Sequence, residues 1–244
     1  MGMPYAKRAS VLAISLLAMA AGQVALAHEN GHGEHDHDHG HSHDHGHDHD
    51  HDHGHSHDHG HGHDHDSDIY AGYFEDSQVK DRPLSDWEGD WQSVYPYLQD
   101  GTLDPVMAYK AEKSDEKTAE EYKEYYATGY ETDVDRIVID GSTVTFHEGG
   151  ESMSGEYAYD GYEILTYEAG NRGVRFIFEL EQGGDELPEY IQFSDHSIYP
   201  TDADHYHLYW GDDREALLEE VTNWPTYYPS SLSGDEIVRE MKAH

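Results

Sequence analysis

Short runs of alternating apolar and polar residues, punctuated by glycine turns, most constrain what this chain can fold into. Arg136 to Ile139 and Thr143 to His147 flank Asp140-Gly141. Gly155 to Tyr159 and Glu163 to Glu168 flank Asp160-Gly161, and Gly173 to Glu181 follows Gly170-Asn171-Arg172. Glu189 to Asp195 and His205 to Trp210 complete the set. Period two places alternate side chains on opposite faces, and Asp-Gly between two such runs is a hairpin signal. The pattern predicts a mainly β domain, an antiparallel barrel or sandwich. Helices are expected at its margins. Ser114 to Tyr126 carries a cap at Ser114, a Lys117–Glu121 pair and a stripe of Tyr122, Tyr125 and Tyr126, with Gly129 as its end. Asp213 to Val221 and Asp235 to Lys242 read as closing helices, the second capped by Ser233 or Asp235. Trp224 to Pro229 reads as a packed closing loop, and Gly149-Gly150 and Gly183-Gly184 as turns.

The N-terminal quarter follows other rules. Lys7 and Arg8 precede an apolar stretch from Val11 to Ala21, and Ala25-Leu26-Ala27 fits a small-x-small cleavage site. Met1 to Ala27 therefore reads as an export signal, too short in its apolar part for a typical membrane span. His28 to His65 holds 18 of the 23 histidines, mostly as His-Asp and His-Gly, with no lysine or arginine. Such a tract cannot bury apolar surface, so residues 28–66 are expected to be disordered without metal, and folding falls to residues 67–244. Imidazole and carboxylate at this density suit divalent transition metals, zinc first, with nickel or copper as alternatives. From Asp66 onward 42 acidic residues face 12 basic ones. That charge repels nucleic acid and anionic membranes and concentrates cations, and it serves solubility as well. The chain has no cysteine. A lipidated start and a disulfide framework are not expected, so stability must come from a core or a metal.

Outside the tract the histidines are His147, His196, His205, His207 and His244. On a strand His205 and His207 project to one face, roughly 6.5 Å apart along the chain. His196 ends the preceding strand, and Ser197 to Asp204, with Pro200, is long enough to fold it back opposite them. Three converging imidazoles match tetrahedral zinc with a fourth position left open. The same residues could instead be two surface histidines beside a capping one. Asp195 is a candidate acceptor for orienting a ligand ring. His147, near a strand end, reads as a surface residue.

Longer stretches carry a resemblance. Phe193-Ser194-Asp195-His196-Ser197-Ile198-Tyr199-Pro200, then His205-Tyr206-His207 and Gly211, resembles the metal signature of the ZinT/YodA family of periplasmic zinc-binding proteins. Asp86 to Leu98, Glu121 to Asp135 and Asn223 to Pro229 resemble its other motifs in order. The resemblance implies a lipocalin-like (calycin) barrel with a small helical part and a zinc site at His196, His205 and His207. It implies cadmium binding and a non-enzymatic periplasmic role: capturing scarce zinc and passing it to the substrate-binding component of a high-affinity zinc ABC importer. Two other functions remain open from the residues. A three-histidine zinc with an open position describes hydrolytic centres, although no HExxH arrangement or general base is evident. A lipocalin-type barrel can also carry a small molecule.

Overall fold

The computed structural model describes residues 68–168, 170–219 and 221–243. The signal, the histidine tract and His244 lie outside them. Eight antiparallel strands close into a barrel in simple sequential order. They are β1 (Gly89–Ser93), β2 (Val134–Asp140), β3 (Thr143–Glu148), β4 (Glu151–Thr166), β5 (Arg172–Gln182), β6 (Tyr190–Ser194), β7 (Tyr206–Gly211) and β8 (Thr226–Pro229). β8 pairs with both β7 and β1, so the sheet has no free edge.

The alternation in the sequence becomes the barrel's inside and outside. Ile137 and Ile139 on β2, Val144 and Phe146 on β3, and Val174, Phe176 and Phe178 on β5 point into one core. Trp87 fills its centre, stacked on Phe193 (centroids 4.7 Å apart) with Phe176 and Phe178 at 5.7 and 5.9 Å. On β5 and β6 the outer face is covered too: Arg175, Ile177, Gln192 and Ser194 are all buried.

Four helices build a second, smaller core: α1 (Tyr95–Gln99), α2 (Asp104–Lys113), α3 (Ala119–Tyr130) and α4 (Gly234–Ala243). Leu98, Leu103, Val106, Met107, Tyr130 and Ile237 meet there against Tyr228 of β8. Among the described residues no helix is long and apolar enough to cross a membrane.

Several expectations are corrected. Asp160-Gly161 is not a hairpin. β4 runs straight through it, and both halves of the expected pair bond to β5 instead. Asp160 is the extra residue of a bulge between the pairs Tyr159–Phe178 and Gly161–Ile177, and Gly161 takes the positive φ (+100°) that the bulge requires. Arg214 bridges Asp160 and Glu163 across the distortion. The β2–β3 hairpin forms as expected with its turn at Gly141-Ser142, and further hairpins turn at Gly149-Gly150 and, as Gly170-Asn171 signalled, between Thr166 and Arg172. Trp224 to Pro229 is not a loop, since its last four residues are β8. Asp213 to Val221 forms only a short 3-10 turn at Ala216–Leu218. The chain is drawn off that axis by Asn223, whose amide donates to the carbonyls of Thr128, Gly129 and Glu131 at the end of α3. α3 itself starts later than expected. Thr118 caps it, its hydroxyl accepting from the Glu121 amide while Glu121 reaches back to the Thr118 amide. Gly129 lies within its last turn. For α4 the cap is Ser233, in the same reciprocal arrangement with Glu236.

Candidate metal centre

His196, His205 and His207 converge. Each offers a ring nitrogen, and the three nitrogens lie within 4.8 Å of one another. The ring centroids form a nearly equilateral triangle of 5.8, 5.6 and 6.0 Å. A tetrahedral ion with bonds of 2.0–2.1 Å spaces its ligand atoms about 3.4 Å apart, so small ring rotations suffice to bring all three onto one ion.

Each ring reaches this point by a different device. Tyr206 packs in the barrel core, so the strand period sends its neighbours His205 and His207 to the other face. His205 is buried and stacks almost parallel on Tyr228, with centroids 5.0 Å apart and planes 9° apart. Tyr228 belongs to the helical core, so His205 lies at the seam between barrel and helices.

His207 sits opposite Ser194 of β6 and Thr226 of β8. Its Nδ1 is 2.8 Å from the Thr226 hydroxyl oxygen, and that hydroxyl donates its single proton to the Trp224 carbonyl at 2.9 Å. Thr226 can therefore only accept from the ring. This assigns the proton of neutral His207 to Nδ1 and leaves the Nε2 lone pair free for an ion. Burial pushes the His207 pKa well below its ordinary value, and His196, His205 and Arg175 add to the effect. A ring held neutral is the ligating form.

His196 leaves the end of β6 on a strained backbone. Among the described residues it is the single non-glycine with positive φ, at +66°. Its ring stacks on Tyr70 at 4.3 Å. The turn is pinned from both sides. Asp195 Oδ1 accepts from the Ser197 amide (3.2 Å) and from Arg82 (2.6 Å), and Ile198 inserts into the barrel core while its carbonyl accepts from the Lys80 amide. Arg82 is fully buried. It also donates to Asp86 and to the Thr201 carbonyl, with its guanidinium 4.2 Å over the Trp87 ring.

Asp195 is thus not the ligand-orienting acceptor expected from its position. One of its oxygens is engaged by Arg82 and Ser197, and the other, Oδ2, is buried without a hydrogen-bond partner. Thr226 takes that orienting role for His207. Sequence reading missed Thr226, Tyr228 and Tyr70, because only the closure of the barrel by β8 and the packing of residue 70 bring them to the rings. The spacing of Arg82 and Asp86 was a visible signal of an ion pair, with nothing in it to reveal Asp195 as the third member. His147 stands on β3 opposite Arg136 and Ser152, outside the trio.

His196 and His207 border a cavity of about 660 Å3 whose wall also includes Tyr70, Phe74, Arg172, Arg175, Ser194 and Tyr209. Among the described residues, cations and aromatic rings rather than carboxylates line its wall.

The family profile described as "ZinT (YodA) periplasmic lipocalin-like zinc-recruitment" matches residues 65–244. The "Probable metal-binding protein YrpE" of Bacillus subtilis (strain 168) is 73% identical over 176 residues, covering 72% of this chain and 70% of that one. The "Zinc-binding lipoprotein AdcA" of Streptococcus pneumoniae serotype 4 is 54% identical over 177 residues, covering 72% of this chain but 35% of the relative. The chain thus spans about a third of the AdcA proteins it matches. Among solved structures, the Zn(II)-bound ZinT-like domain of Streptococcus pneumoniae AdcA superposes with a TM-score of 0.69 at 53% identity. The match covers 71% of this chain and 97% of that domain. The Zn(II)-bound full AdcA gives a TM-score of 0.70, over 38% of its own chain.

Proposed function

The chain belongs to the ZinT (YodA) family, and on that premise we propose that it is an exported zinc-capture protein whose His196, His205 and His207 hold one ion as cargo. It passes that ion to the substrate-binding component of a high-affinity zinc ABC importer. The observation that carries this reading is the convergence of three ring nitrogens within 4.8 Å, two of them on rings that border one cavity. The family description, and the names of relatives as zinc-binding proteins, support zinc over other imidazole-binding ions. Cadmium, nickel and copper would compete for the same donors. Export rests on the basic and apolar start of the chain, and the description of one relative as a lipoprotein supports it.

The tract from His28 to His65 acts as a collector. Each His-x-His or His-x-Asp unit binds weakly, but many on one chain raise the local ion concentration. In the sequence the tract runs up to Ile69, Tyr70, Ala71, Tyr73 and Phe74, which border the metal cavity. Capture weakens as pH falls through about 6.5, where protons compete for imidazole.

The competing readings have less support. A hydrolytic centre needs a base beside its zinc-bound water, and the cavity wall offers guanidinium and phenol groups. A carrier needs an open barrel, whereas Trp87, Phe176, Phe178 and Phe193 fill this one.

Zinc titration of the mature chain against a chromophoric chelator, with native mass spectrometry for stoichiometry, tests the proposal. Deleting residues 28–65 should lower the number of ions bound and leave one tight ion. Adding His205→Ala to that deletion should remove it. Loss of all tight binding on deletion alone, or a tight ion that survives His205→Ala, would overturn the assignment.

A further inference from the structure

The described domain holds two buried arginines, and only one makes a salt bridge. Arg82 has Asp86 and Asp195. Arg175 is 3% exposed, with the Tyr209 ring 3.4 Å from its guanidinium carbon, and its Nε is buried with no hydrogen-bond partner. Glu163 lies across β4 from Arg175 but its carboxylate pairs with Arg214, and a buried cation that makes no salt bridge and keeps an unsatisfied donor is costly.

The position of Arg175 makes that cost informative. β5 pairs Phe176 with Phe193 of β6, one residue from Arg175 and Ser194, and Ser194 pairs with His207 of β7. Arg175, Ser194 and His207 therefore lie side by side on the barrel's outer face, and all three border the metal cavity. Three neutral imidazoles bring no charge to a divalent ion. Loading the site would place two further positive charges beside a guanidinium that makes no salt bridge. An anion bound to the open coordination position and to Arg175 together would satisfy the ion, the orphaned donor and the charge at once. Tyr70, Phe74 and Val174 supply apolar wall around this point, which suits an organic anion better than a fully hydrated inorganic one.

We propose that the cavity binds a small organic carboxylate, coordinated to the zinc of the three-histidine site and hydrogen-bonded to Arg175, so that the cargo is held as a ternary complex. This rests on the three-histidine reading above. It gives the open position an occupant that must leave, or be replaced by a partner's carboxylate, before the ion can be transferred.

The mature chain loaded with one equivalent of Co(II) reports the fourth ligand through its visible absorption. Acetate should shift the tetrahedral spectrum saturably. Arg175→Met should weaken that response about tenfold or more while the tetrahedral spectrum itself persists. Arg175→Lys, which keeps charge and bulk, should be intermediate, and Arg136→Met, which removes a surface charge elsewhere, should respond like the unsubstituted chain. A tetrahedral spectrum indifferent to acetate overturns the carboxylate proposal and leaves the three histidines standing. So does a response that Arg175→Met and Arg175→Lys leave unchanged, or one stronger for inorganic phosphate than for acetate. A Co(II) spectrum that is never tetrahedral overturns the three-histidine reading instead. Because the unsubstituted chain alone can fail the acetate test, misfolding of the Arg175 variants would not shield the proposal.

Discussion

His196 adopts a backbone conformation that costs an L-residue of this bulk about 1–2 kcal/mol, and the surroundings hold it there. The Asp195–Ser197 hydrogen bond, the Arg82 clamp and the insertion of Ile198 all act on residues next to it, so the strain sits at the one place where the strand must turn its last ring back toward β7. Sequence spacing gave the three histidines and the need for a reversal between them. It could not give the strain, because the clamp depends on Arg82, more than a hundred residues away. Thr226 was equally hidden: it faces His207 only through the β7–β8 register. Its role can be tested directly. Thr226→Val keeps the shape but removes the oxygen that fixes the His207 tautomer, and it strands both Nδ1–H and the Trp224 carbonyl. Zinc affinity should fall about ten- to a hundredfold, the usual effect of losing a partner that orients a metal-bound histidine. Thr226→Ser should restore most of it. Equal zinc affinity in Thr226→Val and the parent, measured by chelator competition, would show that the hydroxyl does not set the ring.

At the scale of elements, the strands were legible wherever one face is buried and the other exposed. β2 and β3 appeared almost at their true bounds for that reason, and α4 was visible from its caps and its apolar face. β1 and β8 were not seen: β1 alternates in burial but is only five residues long with Trp91 as its one large apolar residue, and β8 is four residues long and buried at three of them, so it does not alternate. Asp160-Gly161 misled because the same dipeptide that turns a chain also serves a bulge, and only the continuous pairing with β5 decides between them. The missing helix at Asp213 to Val221 is a tertiary override, since the Asn223 bonds to the end of α3 outweigh the local preference. The α3–β8 junction offers a contest whose sign can be worked out. Alanine is about 1 kcal/mol better than glycine in a helix interior, so propensity alone would make Gly129→Ala stabilising. A Cβ at Gly129, however, would meet three atoms of the Trp224 indole at 2.4–2.9 Å. That ring cannot easily retreat, because it packs on Tyr125 and its backbone amide donates to the Gly129 carbonyl. Overpacking of this kind costs about 1–3 kcal/mol, more than the helix gains. Gly129→Ala should therefore lower the denaturation midpoint of the apo protein. Because the Trp224 carbonyl accepts the Thr226 hydroxyl, zinc affinity should fall with it. An unchanged or raised midpoint would mean that the indole swings free of the helix.

Across the whole molecule, the two cores are joined and the barrel is closed by aromatic side chains, and many of these are tyrosines: the chain has 20 of them against five phenylalanines. The barrel core contains Tyr157, Tyr206 and Tyr227, while Tyr130 and Tyr228 anchor the helical layer beside Tyr126. In the sequence these residues read simply as apolar positions, and the fold follows from them as it would from phenylalanine. The difference lies in their hydroxyl protons. Burial raises every one of these six pKa values, that of Tyr126 to about 12 and those of Tyr130 and Tyr206 well above the usual 10. The Tyr206 hydroxyl is buried with no hydrogen-bond partner, so its phenolate would be especially costly. The sign follows from proton counts. Above about pH 10 the unfolded chain releases these protons while the folded chain keeps them, so the native state binds more protons and stability falls as pH rises. The contribution of each tyrosine is fully present below pH 10 and is lost between 10 and its folded pKa, at about 1.4 kcal/mol per pH unit for each. Several such groups acting together exceed the 5–15 kcal/mol that a domain normally has to lose. The apo domain should consequently unfold cooperatively between about pH 10 and 12. In a pH titration the tyrosinate absorbance of the buried set should rise in step with the loss of β-sheet circular dichroism. Tyr206→Phe, which removes one such proton and an unsatisfied hydroxyl, should move the midpoint to higher pH. Tyrosinate absorbance that reaches its full value while the circular dichroism is still native would mean that these phenols ionise in place, and that the barrel's resistance to alkali has another source.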